Sequence, residues 1–173
     1  MMNMNNITID RTKVNTELNP MRRKDWPSRW VRFITDSRAL GADLSLDWES
    51  MNCLKWACMG IEEMTGFNPY EHFAPEDGSL KDVVKTIRNR GYETMDQIIE
   101  SRYPEVPIGL AQLGDLVLVE SNWEETDTGV RAVMPFGAAL ADPPHYWCVL
   151  PEGLSKGELY VHGHRAFAVG RIV

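Results

Sequence analysis

The chain has 173 residues, 43% of them hydrophobic and 25% charged, with a formal net charge of −7. That is one domain's worth of material with ample apolar content for a buried core. No block of basic residues is present, which argues against nucleic acid as the main ligand, and no run approaches the roughly 18 apolar residues of a membrane span.

The opening stretch, Met1 to Asn6, lacks a charged region followed by an apolar core, so no signal peptide is expected. Residues 1–20 are polar, asparagine-rich and aperiodic. They read as an extended arm that serves as an interaction segment, ahead of a single domain over residues 21–173. Order is expected from Asp25-Trp26-Pro27, an N-cap-like acid with proline just inside a helix. Trp30, Val31 and Ile34 carry that helix to about Leu40, and Gly41 ends it.

Leu44-Ser45-Leu46-Asp47-Trp48 links to a second helix over roughly residues 50–65, with Leu54, Ala57, Cys58 and Ile61 as its core stripe and Gly66 as its stop. A third helix is announced by Ser79 as cap, Asp82 as capping-box acid, and the stripe Leu80, Val83, Val84, Ile87 before Gly91. Thr94 and Gln97 mark a short fourth helix with Met95, Ile98 and Ile99. Pro104 and Pro107 close the helical half.

From Ala111 the pattern changes. Leu116-Val117-Leu118-Val119 reads as a buried strand after a Leu113-Gly114-Asp115 turn. Residues 129–133 are its expected antiparallel partner. Further strands are expected at Tyr146–Leu150, Glu158–Val161 and Ala166–Val169. Helices first and strands second predict an α+β fold, with N-terminal helices packed on a small antiparallel β-sheet.

The chemistry centres on Cys53. It opens the second helix, where unpaired backbone N–H groups and the helix dipole favour an anion; such a place lowers a thiol's pKa and makes a nucleophile. The competing reading is a small buried hydrophobe beside Leu54, which is also the reading of Cys58 and Cys148. Three cysteines with no C-x-x-C pair make structural zinc improbable. Asn52 is either the N-cap or an oxyanion holder. Trp26, Trp30, Trp48 and Trp56 suggest a core seam between the leading helices; alternatively Trp48 and Trp56 line a stacking groove beside Cys53. His162 and His164 flank Gly163 in a hairpin and read as a solvated turn; two apart, they could also share one side of a strand and hold a metal, but no third ligand is spaced with them. His72, between Tyr70 and Phe73, reads as a surface or half-packed residue.

Arg22-Arg23-Lys24-Asp25-Trp26-Pro27, the stretch from Trp48 to Ala57, and Thr65-Gly66-Phe67-Asn68-Pro69 resemble a small family of phage and prophage tail-region proteins. That family is related to the NlpC-type (papain-like) cell-wall cysteine peptidases. The similarity continues through Gly78-Ser79-Leu80, Arg90-Gly91, Ala111 to Asp115, Gly153-Leu154 and Arg165-Ala166-Phe167, covering residues 20–173. It implies a papain-like NlpC-type fold in which Cys53 attacks an amide carbonyl of peptidoglycan stem peptides and a histidine takes its proton. The histidine of such peptidases opens the strand after the Gly-Asp strand, ahead of a hydrophobic-glycine pair. Thr126-Asp127-Thr128 stands there instead, ahead of Gly129. His145, near the place of the orienting residue, becomes the first choice for a base.

Two functions follow from the resemblance. One is a hydrolase that opens peptidoglycan during phage entry or release and needs no metal or cofactor. The other is a non-catalytic virion component of the tail or tail tip, or a tail-assembly factor, that binds tail proteins through the arm and an exposed sheet surface. The hydrolase and the tail component imply a virion location after synthesis in the host cytoplasm, whereas an assembly factor would be absent from the finished particle; no nucleic-acid partner and no membrane span are expected.

Overall fold

The computed structural model describes residues 19–44, 51–73, 80–127 and 130–173, with the backbone alone for residues 42, 80–81, 121–127 and 130–135. Residues 1–18 of the arm, Trp48, the Ser79 cap, Thr128 and Gly129 lie outside the described residues.

Helix α1 (Trp26–Leu40) has Pro27 in its first turn and stops at Gly41. Asp25 does not cap it through its side chain; the carboxylate instead accepts from Arg29 Nε at 2.8 Å, one turn along. Helix α2 (Cys53–Thr65) starts three residues later than expected, because Asn52 is its true cap. Asn52 is extended, and its Oδ1 accepts from the Lys55 N–H at 2.8 Å. Gly66 ends the helix at φ 84°, a left-handed conformation that glycine adopts without a Cβ penalty.

Three shorter helices follow: α3 (Tyr70–Phe73), α4 (Leu80–Asn89) and α5 (Met95–Glu100). Val83 and Ile87 of α4 are buried, as the stripe requires. The capping box of α5 is half formed: Gln97 Oε1 accepts from the Glu93 N–H at 2.9 Å, while Thr94 makes no side-chain cap.

The second half is a six-stranded antiparallel sheet made of β1 (Glu105–Val106), β2 (Leu116–Asp127), β3 (Val130–Asp142), β4 (His145–Leu150), β5 (Gly153–Glu158) and β6 (Gly163–Phe167), in the order β1-β6-β2-β3-β4-β5. The expected α+β arrangement is present. One strand is corrected: Leu159–His162 is a helical turn, α6. Strands β5 and β6 are separated by three others, so the chain must cross over between them. Leu159 makes the crossing, with its side chain fully buried and its N–H donating to the Pro144 carbonyl at 2.9 Å.

Alternation along the strands sends side chains to two faces. Leu116, Leu118, Ala138, Leu140, Val149 and Phe167 meet the helices, where Trp30, Ile34, Leu54, Trp56 and Ile61 complete the larger core. On the other side, Val117, Val119, Ala139, Ala141, Cys148 and Ala166 form a second core with Leu159, flanked by Ile108 and Leu150. Both faces of the sheet are therefore packed where these residues lie.

Both ends of the domain are tied to the strand layer. Asn19 Nδ2 donates to the Ala168 carbonyl, and its Oδ1 accepts from the Gly170 N–H at 2.6 Å. Arg22 Nε donates to the Val169 carbonyl at 2.8 Å.

Candidate functional site

Cys53 is the first residue of α2, and the helix lies on the sheet with its N-terminus toward β3. The backbone N–H groups of Ala138, Leu54 and Cys53 itself are directed at the sulfur, and this favours the thiolate. Burial acts the other way and is larger. The residue is 3% exposed, and removal from water pushes the thiol above its ordinary range. The expected activating position is present, but the thiol in it is a protonated one.

No imidazole completes the site. His145 opens β4 and pairs with Asp142 of β3. Ala138 lies four residues from Asp142, about 13 Å at roughly 3.3 Å per residue. A general base must come within about 3 Å of the proton it takes, and no imidazole is among the groups that act on the Cys53 thiol.

Leu116–Val119 pair with Gly137–Leu140, whereas Thr126 and Asp127 pair with Arg131 and Val130 at the far end of the hairpin. Phe136-Gly137, with Met134-Pro135 ahead of it, therefore stands beside the first strand segment. The expected pairing of residues 129–133 with Leu116–Val119 is thereby corrected: twelve-residue β2 continues past the register shift between Glu120 and Trp123, which sequence periodicity does not announce.

His164 does approach this region. Its ring stacks on Phe136 with centroids 4.3 Å apart and planes at 12°. It belongs to β6, while His162 ends α6, and both imidazoles are exposed. No cluster of three metal-ligating side chains occurs among the described residues. His72 stacks on Phe67, with centroids 5.6 Å apart.

The remaining candidates have structural duties. Asn52 is buried, with Oδ1 on the Lys55 N–H and Nδ2 donating to the Tyr70 hydroxyl at 3.0 Å. It is the N-cap, and its donor group is aimed at α3 instead of an oxyanion. Trp56 is 0% exposed, so it lines no groove. Its Nε1 donates to Ser37 Oγ at 3.1 Å and its ring lies 5.1 Å from that of Phe33, which makes it the seam between α1 and α2. Cys58 and Cys148 are free, buried thiols, both raised by burial, Cys148 to about 12.

One polar centre read only as a turn is the Asp115 carboxylate. It is fully buried and accepts from Arg22 Nη2 at 2.9 Å, Arg171 Nη2 at 2.6 Å, and the N–H groups of Gln112 and Val169. Its signal in the sequence was an aspartate flanked by apolar residues with no charged neighbour close by. Its partners lie 93 and 56 residues away, so the sequence could not name them.

No curated protein and no solved structure matches the chain. A family model described as a domain of unknown function, DUF6950, matches residues 21–156, and the chain belongs to that family.

Proposed function

We propose that the protein is a tail-region component of a phage or prophage that keeps the NlpC-type arrangement, a cysteine helix laid on an antiparallel sheet, as a non-catalytic scaffold. The observation that carries this reading is the burial of Cys53 without an imidazole partner. A nucleophilic thiol needs both solvent access and a base or a depressed pKa; this one has neither. Positions next to it are occupied by packing groups, and fold alone does not preserve an activity.

The test is zymography on cell walls with the wild type and Cys53→Ala. Neither protein should clear the peptidoglycan. Clearing by the wild type that is lost in the variant would establish a hydrolase instead. That second reading has one observation in its favour, the set of three backbone N–H groups around the sulfur.

The arm provides the contact side of the proposal. Residues 1–18 are polar and asparagine-rich in sequence, and they precede Asn19, which is hydrogen-bonded to Ala168 and Gly170. Removing residues 2–18 should abolish incorporation into purified particles, scored by mass spectrometry. Unchanged incorporation would contradict an arm-mediated attachment.

A further inference from the structure

Ile108–Leu110 form a 3-10 turn ahead of β2, and this turn packs against α6. At the contact, Ile108 and Leu159 flank Gly163: a Cβ on that glycine would stand 3.1 Å from Ile108 Cδ1 and 3.2 Å from Leu159 Cδ1. The neighbouring side chains face water. Leu110 is 65% exposed, Tyr160 56% and Val161 64%. Two touching elements of three and four residues thus leave three large apolar side chains uncovered, a concentration that marks a contact surface.

An occupant must reach this patch and offer apolar groups. Asn19 is fixed beside it: its Oδ1 accepts from the Gly170 N–H at 2.6 Å. The next residue, Arg171, donates from Nη2 to the Leu110 carbonyl at 3.3 Å. The point where residues 1–18 join the domain is therefore one arginine side chain from the patch. Residues 7–14 lie five to twelve positions ahead of Asn19, and twelve extended residues span about 40 Å. Their sequence, Ile-Thr-Ile-Asp-Arg-Thr-Lys-Val, holds three β-branched apolar residues in a polar stretch.

A second copy is the poorer occupant. Stable interfaces between proteins bury about 800 Å² per partner, which three partly exposed side chains do not supply. A tethered segment needs far less area, because its effective concentration is on the order of millimolar.

We propose that residues 7–14 dock on the patch of Leu110, Tyr160 and Val161 in the same chain, with Ile7, Ile9 and Val14 as the contacts. The docking is independent of Cys53, and it stands whether or not the arm also attaches the protein to a particle.

Trypsin cleavage after Arg11 and Lys13 of the folded full-length protein, followed by mass spectrometry, tests it. Both bonds should be cut several-fold more slowly than in a synthetic peptide of residues 1–18. Leu110→Ser/Val161→Ser, at exposed positions, and Ile7→Ser/Ile9→Ser, ahead of the domain, should each restore the fast rate. Val31→Ser, at a 62% exposed position on α1, should not. Wild-type rates equal to those of the peptide, or unchanged in either double variant, would overturn the docking. So would a dimer in sedimentation velocity that survives removal of residues 2–18 and is lost in Leu110→Ser/Val161→Ser, since the patch would then belong to a second copy.

Discussion

Asp115 and Arg171 are 56 residues apart and meet at 2.6 Å, carboxylate Oδ2 to Nη2, inside the fold. Through that contact the C-terminal segment is held against the turn that launches β2. Arg22 reaches the other carboxylate oxygen from the N-terminal side and covers the Trp26 ring, 4.5 Å from its centroid. One buried anion therefore joins the beginning, middle and end of the domain.

Removing that anion should be severe. Asp115→Ala leaves Arg22 and Arg171, both largely buried, without a counter-charge. Breaking a buried pair in this way costs about 3–5 kcal/mol. Urea unfolding of Asp115→Ala should show a loss of that size, and a loss below about 1 kcal/mol would mean the arginines find water instead.

Thiol chemistry should follow burial. At pH 7.5 iodoacetamide should leave Cys53, Cys58 and Cys148 of the folded protein largely unmodified, since all three are buried with raised thiols. Addition of urea should release all three. Rapid native alkylation at Cys53, located by peptide mass spectrometry, would contradict both the burial and the scaffold reading.

The same thiols set an alkaline limit. In the unfolded chain a cysteine ionises near pH 8.5, whereas folded Cys148 holds its proton to about 12. Above pH 8.5 the unfolded state binds fewer protons, so unfolding stability falls as pH rises, by up to about 1.4 kcal/mol per pH unit for each such thiol. The contribution is complete below pH 8.5 and is lost progressively toward 12. Urea melts at pH 8 and 10 should show a smaller decline for Cys148→Ala than for the wild type. Parallel declines would remove Cys148 from the effect.

Asn52 offers a separation of roles. Asn52→Asp keeps the acceptor for the Lys55 N–H but loses the donor to Tyr70; Asn52→Ala loses both. The alanine variant should be destabilised by about 1–3 kcal/mol through the lost cap and the buried hydroxyl left short of a donor. Aspartate should recover part of that. Equal losses in thermal melts would show that the cap itself contributes little.

Packing across the two layers is close at Gly60. A Cβ there would collide with Leu140 Cδ1 of β3 and approach Phe33 Cε1 of α1 to 2.8 Å. Gly60→Ala should therefore cost about 1–3 kcal/mol despite its better helix propensity. A neutral or stabilising effect on the melting temperature would mean that Leu140 repacks freely.

Local chemistry was legible in the sequence. Gly41 and Gly66 stop helices because φ values of 55° and 84° suit a residue without a Cβ, and Asn52 starts one because its side chain reaches an orphan N–H. The apolar stripes of α2 and α4 and the strand Leu116–Val119 were visible for the same reason: periodicity records which face is buried. What contacts that face is not recorded locally. Whether Cys53 at a helix start becomes a thiolate depends on solvent access and a distant imidazole, and only packing against Ala138 decided it. The extent of β2 and β3, the turn at Leu159 and the partners of Asp115 likewise arise from pairings across tens of residues, which no sequence window contains.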